Sequence, residues 1–165
     1  MRFNLIDHIA DFQAGKSLTA VKNLTLGEEY LADHFPTFPV MPGVLMLETL
    51  VEAGAWLLRL THGYRHSVFV LREARNVKYG TFMAPGNQMK IHVELLEETG
   101  ETAVFKGRGE TQGQSTVSAK ITLGFYNLGD KDPGWKETDR RIIEHYRDLH
   151  RQLIWVPAGS PAQVS

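Results

Sequence analysis

DHFPTFPVMPGVLMLETLVEAGAWLL, residues 33–58, changes character at Pro42. Before it, Pro36, Pro39 and Pro42 forbid a regular helix, because proline lacks an N–H and restricts the residue ahead of it. From Pro42 onward the chain is helix-forming: proline suits the first helical position, and residues 43–60 continue without a breaker. Val44, Leu45, Met46, Leu47, Leu50, Val51, Ala53, Ala55, Trp56, Leu57, Leu58 and Leu60 leave almost no polar face. A helix that is apolar all round has to be covered all round, so the rest of the chain is expected to wrap it.

The flanking sequence has the period of strands. Residues 4–12 and 18–26 read as two short strands around the turn-forming AGKS, and TLGEEYLADHF as a helical turn leading to the prolines. After the helix, residues 67–78 read as a strand followed by the loop GTFMAPGN. In QMKIHVELLE, Met89, Ile91, Val93 and Leu95 alternate with Lys90, His92 and Glu94; in TVSAKITLGF, Val117, Ala119, Ile121, Leu123 and Phe125 alternate with polar neighbours. Such alternation marks half-buried antiparallel strands. AVFKGRGET lies between them, joined by the Gly-bearing EETGET and TQGQS. The expected architecture is α+β: a curved antiparallel sheet around one long buried helix, occupying residues 1–128. Residues 129–155 add the linker GDKDPG and an amphipathic helix with Ile142, Tyr146, Leu149 and Leu153 on one face. Residues 156–165 have the composition of a disordered end.

A chain of 165 residues with 42% hydrophobic and 22% charged residues is expected to form one globular domain with a real core. The net charge of −1 argues against a nucleic-acid binder. With no cysteine there is no disulfide, thiolate metal site or thiol nucleophile. Asp7, His8 and Asp11 interrupt the N-terminus as a signal peptide, and no apolar run is long enough to span a membrane; a cytoplasmic location is expected. No internal repeat is present.

Three residues of the opening stretch suit proton chemistry. Glu48 stands among apolar neighbours, where a carboxyl resists ionisation and can act as a general acid. His34 is of the residue type most often used to move protons. Gly43 follows a proline, so its amide is among the first unpaired donors of the helix, open to a developing negative charge. Each also has a plain structural reading: Glu48 paired with a Lys or Arg, His34 a hydrogen-bonded histidine, Gly43 a turn residue. His62 and His66, four apart, lack a third ligand at a recognisable spacing, and surface histidines are the better reading.

HFPTFPVMPGVLMLETL resembles the active-site segment of the 3-hydroxyacyl-[acyl-carrier-protein] dehydratases of bacterial fatty-acid synthesis: H-F-P, then P-V-M-P-G-V-L, then an acidic residue fourteen positions after the histidine. The resemblance runs through residues 3–125, with FNLIDHI, AVKNLTLGEEYLADHFP and MAPGNQMKIHVELLE as further matches. It implies a hot-dog fold, a homodimer with shared active sites in which His34 of one subunit faces Glu48 of the other, and further assembly as three dimers. It implies dehydration of a 3-hydroxyacyl thioester, carried on acyl carrier protein, to the trans-2-enoyl thioester. His34 would be the base, Glu48 the acid and Gly43 the donor to the carbonyl, with no metal or diffusible cofactor. Phe35, Val40, Met41 and Pro42, together with Met83, Ala84 and Pro85, are expected to line the acyl chain. Arg72, Arg75 and Lys78 could rim the site for an acidic carrier, though solubility explains them as well.

The sequence departs from that pattern at Asp33 and Thr37, where the family usually has glycine, and at Glu52, where it usually has glutamine. Glu52 is one helical turn from Glu48, so the two could share a proton, making Glu52 a candidate modulator. The glutamate at position 48 favours the dehydratase type that does not isomerise its product. Two other readings are a hot-dog dehydratase or thioesterase of a specialised lipid or polyketide pathway, and a non-catalytic acyl-binding subunit. The presence of both His34 and Glu48 speaks against the last.

Overall fold

The computed structural model describes residues 4–156; the expected disordered tail lies, but for Val156, outside the described residues. Pro42 starts the helix as expected: its carbonyl accepts from the amides of Leu45 and Met46 at 3.0 and 3.1 Å. The helix, α1 (Gly43–Thr61), ends within one residue of the sequence reading. Around it lies one antiparallel sheet of β1 (His8–Gln13), β2 (Ser17–Asn23), β3 (Val68–Tyr79), β4 (Gln88–Thr99), β5 (Thr102–Thr111) and β6 (Gln114–Tyr126), in the order β1-β2-β4-β5-β6-β3.

The alternation seen in the sequence sets which side of each strand meets α1. Met89, Ile91 and Val93 of β4, Phe105 of β5, and Val117, Ile121 and Leu123 of β6 are wholly buried with Leu50, Ala53, Leu57 and Leu58 of the helix. Close approach needs two glycines. A Cβ at Gly54 would lie 3.1 Å from Leu123 Cδ1, and one at Gly107 3.1 Å from Leu50 Cδ1, tighter than ordinary packing allows.

Two expectations are corrected. The first strand begins at His8, not residue 4. Leu5 and Ile6 instead point their amides at the Glu52 carboxylate, Leu5 N–H donating at 3.0 Å and Ile6 N–H at 3.2 Å to Oε2, so this segment covers α1 rather than extending the sheet. Nor is α1 covered on every side within one chain: Val44 is 70% exposed, and Leu45, Leu47 and Glu48 are half-buried. The linker GDKDPG runs through two short 3-10 turns, Leu128–Asp130 and Pro133–Trp135.

That connection leads into the amphipathic helix α2 (Lys136–Leu153). Tyr146 packs edge-on against Trp56 of α1, with ring centroids 5.6 Å apart, and Leu153 is buried. Asp139 fixes the entry angle. Its carboxylate accepts from the amides of Leu128 (2.9 Å) and Gly129 (2.7 Å) and from the Ser67 hydroxyl. Burial opposes ionisation of this group, but the donors from Ser67, Gly129 and Leu128 outweigh it and hold the carboxyl below its usual range.

Removing a buried acceptor strands its donors. Asp139→Ala is therefore expected to cost about 2 kcal/mol in denaturant unfolding, whereas Arg140→Ala, which breaks only exposed pairs with Glu137 and Glu144, should cost under ~1 kcal/mol.

Glu52 makes a second prediction. Burial pushes its pKa from 4.5 up to about 7, despite the opposing bonds from Leu5 and Ile6. The native state then holds a proton that the unfolded chain has released, so stability falls as pH rises through that window. Thermal melts between pH 5 and 8 should show Glu52→Gln, which keeps an acceptor oxygen, with a weaker decline than the parent; parallel curves would contradict the assignment.

Candidate active site

The segment ahead of α1 is pinned from both sides. Met41 N–H donates to the Met83 carbonyl at 2.8 Å, joining it to the 80–87 loop, which is tied to the end of β2 by Gly86 N–H donating to the Leu24 carbonyl at 2.8 Å. This fixes the Val40 carbonyl, 3.0 Å from His34 Nδ1. A carbonyl can only accept, so Nδ1 carries the hydrogen, and in the neutral ring Nε2 keeps its lone pair. Half-buried His34 is thereby held in one orientation, with Nε2 as its accepting nitrogen in the neutral ring.

Phe35 adopts φ 50°, a left-handed conformation that is rare for a bulky side chain. Its carbonyl accepts from the Phe38 amide at 2.8 Å, closing the turn, and its ring lies edge-on to His34 with centroids 4.5 Å apart. Neither Asp33 nor Thr37 has positive φ. The two departures from glycine thus fall where side chains are tolerated, and the strained position is Phe35.

At the head of α1, Gly43 lies beneath the ring of Tyr79 from the end of β3; a Cβ there would sit 3.1–3.3 Å from three ring atoms. The glycine is needed for this contact, and its N–H belongs to the first helical turn, which has no intrahelical acceptor. Glu48 follows one and a half turns later, half-buried. Burial alone raises its pKa, and within the described chain no hydrogen bond or ion pair reaches its carboxyl. No hydrogen bond joins it to His34 in the same chain.

Glu52 is not hydrogen-bonded to Glu48: its carboxyl is occupied by the Leu5 and Ile6 amides, and the charge of Glu48 raises its pKa less than burial does. Among the residues expected to line an acyl chain, Phe35 is exposed and Pro42, Ala84 and Pro85 are half-buried, whereas Val40, Met41 and Met83 are core residues. Sequence reasoning missed Tyr79, Phe38 and Phe82. The latter two are 57% and 62% exposed, with ring centroids 5.8 Å apart, and the aromatic beside each proline-bearing turn was the available signal.

His62 and His66 do meet, Nδ1 to Nδ1 at 3.3 Å, with Glu98 accepting from His62 Nε2 at 2.8 Å. Among the described residues no group of three potential ligands could hold a metal ion. Arg72, Arg75 and Lys78 are exposed along β3. No helix of the described residues is long and apolar enough to cross a membrane.

Known proteins resemble this arrangement in sequence and in shape. A family model described as FabA-like domain matches residues 1–120. The 3-hydroxyacyl-[acyl-carrier-protein] dehydratase FabZ of Janthinobacterium sp. (strain Marseille) is 35% identical over 132 residues, covering 78% of this chain and 85% of the relative. That of Shewanella amazonensis is 38% identical over 122 residues, covering 72% and 80%. Among solved structures, the dehydratase heterocomplex ApeI:P from Xenorhabdus doucetiae superimposes with a TM-score of 0.64 at 15% identity, covering 76% of this chain and 84% of that one. The E. coli PaaI protein does so with a TM-score of 0.55 at 10% identity, covering 71% and 81%. At such identities these two speak for the fold alone, and they agree with the hot-dog arrangement of sheet and helix. With the family model spanning most of the chain, this protein belongs to the FabA-like family, together with the FabZ dehydratases.

Proposed function

We propose that this protein is a hydro-lyase that dehydrates a 3-hydroxyacyl thioester, borne on acyl carrier protein, to the trans-2-enoyl thioester in fatty-acid synthesis. The observation that carries the reading is the Val40 carbonyl on His34 Nδ1, which leaves Nε2 as a base in a chain whose relatives are named dehydratases.

In the proposed reaction the substrate carbonyl accepts from the Gly43 amide. His34 Nε2 takes the proton from the carbon next to that carbonyl, and the electron pair moves onto the carbonyl oxygen, where the helix-start amide stabilises it. The pair then returns to form the C2–C3 double bond as the C3–O bond breaks, and the Glu48 carboxyl gives its proton to the departing hydroxyl, which leaves as water. Raising the Glu48 pKa serves this step, since only the protonated form can donate. The thioester acidifies the attacked C–H bond, so the chemistry calls for no cofactor.

The site is proposed to be completed across a homodimer. Three features support this: Glu48 has no hydrogen-bond or ion-pair partner among the described residues, β3 is a twelve-residue edge strand, and Val44, Leu71 and Tyr79 are exposed nearby. A long unprotected edge is a ready template for pairing with a second chain. For the acidic carrier, Arg75 lies opposite Lys120, and Lys120 opposite Lys106, a row of like charges across three strands. Such a row is unfavourable on its own and suits an acidic partner.

The test is a dehydration assay with 3-hydroxyacyl chains of several lengths on acyl carrier protein. His34→Ala and Glu48→Gln should each lower kcat by about 100-fold or more, and parent activity should fall on the alkaline side as Glu48 ionises. No turnover with any chain would overturn the reading in favour of an acyl-binding subunit; full activity of Glu48→Gln would remove it as the acid.

A further inference from the structure

Arg59 is the most unusual charged residue of the interior. It is 6% exposed, and its guanidinium carbon lies 3.6 Å from the Tyr146 ring centroid, 4.5 Å from that of Phe69 and 5.5 Å from that of Trp56. No carboxylate or carbonyl of the described residues accepts from it, and its Nε–H is buried without a partner. Aromatic faces stabilise a cation, but they leave its N–H groups unsatisfied. Glu52 helps to keep it charged from a distance; burial lowers its pKa to about 10, still above neutrality.

Arg59 forms part of the wall of a cleft of about 590 Å³ between α1, the start of β3 and α2, a size typical of small-molecule sites. Arg141, His145, Thr138 and Asn4 line the same cleft, offering further donors, while Phe69 and Ile142 supply apolar wall. No acidic side chain lines it. The cleft is separate from the chemistry at the head of α1: Arg59 is eleven residues beyond Glu48, about 16 Å along the helix. Its α2 wall lies beyond the residues that match the FabA-like family.

We propose that this cleft is a binding site for a small organic anion, a carboxylate or phosphate head on a short apolar body, with the head on Arg59, Arg141 and His145 and the body against Phe69 and Ile142. The ligand would supply an acceptor to the part of the guanidinium that lines the cleft, where no described carboxylate or carbonyl does so. A planar guanidinium held between aromatic rings is already oriented for a two-pronged contact with such a head.

Calorimetric titration of the full chain with hexyl phosphate and with hexanoate tests this; hexanol is the neutral control and inorganic phosphate the head alone. At least one of the two organic anions should bind saturably at one site per chain, and comparing the two identifies the preferred head. Inorganic phosphate should bind more weakly than hexyl phosphate if the phosphate head is preferred, and hexanol not at all. Arg141→Ala, which removes an exposed side chain and spares the core, should weaken binding about tenfold, the equivalent of one charge-assisted hydrogen bond. Arg59→Met, which keeps much of the buried volume, should abolish it. Absence of saturable binding by either organic anion, binding of hexanol as tight as of the anions, or unchanged affinity in Arg141→Ala would overturn the proposal. None of these results depends on whether the chain dehydrates thioesters.

Discussion

Everything in this fold answers to one constraint, the covering of α1. Its own sheet covers one side through Leu50, Ala53, Leu57 and Leu58. The N-terminal segment covers a second, held there because Glu52 captures the Leu5 and Ile6 amides. The added helix α2 covers the far end through Tyr146 on Trp56 and Arg59. What stays open is the first two turns, where Val44, Leu45, Leu47 and Glu48 still meet solvent. Those turns hold Gly43 and Glu48 of the proposed site, so the place where packing is incomplete is also the place where the proposed function puts the substrate and a second chain.

Glu48, Glu52 and Arg59 are spaced four and seven apart and so lie along one stripe of α1, away from its sheet. Burial acts on all three in the same sense, favouring the neutral form: the two carboxyls rise and the guanidinium falls. Their partners separate them. Glu52 receives two backbone donors and becomes a fastener, while Glu48 receives none from the described residues, and burial alone raises its pKa. Arg59 gains only aromatic faces and stays a cation in want of an acceptor. One physical cause thus gives three behaviours, sorted by what each neighbouring segment offers.

The sequence was legible wherever periodicity set the structure. The break at Pro42 located α1 to within a residue, and the alternation in β4 and β6 identified their buried faces, because a one-residue error would turn every side chain outward. The candidate residues His34, Gly43 and Glu48 were picked out from their neighbours in the chain. Contacts between distant segments were not legible. Nothing local tells that Glu52 meets Leu5 and Ile6, forty-seven and forty-six positions away, so its spacing from Glu48 suggested a shared proton instead. Strand periodicity alone placed residues 4–7 in the sheet, while the bonds to Glu52 drew Leu5 and Ile6 onto the helix. The left-handed backbone fell on Phe35, where side-chain type argues against it, and the Asp33 and Thr37 substitutions proved harmless in backbone terms for the same reason.

The central claim is that His34 of one subunit works with Glu48 of another. Co-assembly of the two inactive variants, His34→Ala and Glu48→Gln, tests it most directly. Random mixing puts both variants together in half of the dimers, and each such dimer holds one intact site of two, so about a quarter of the parent's dehydratase activity should return. A mixture as inactive as its components would show that the two residues act within one chain or not together at all.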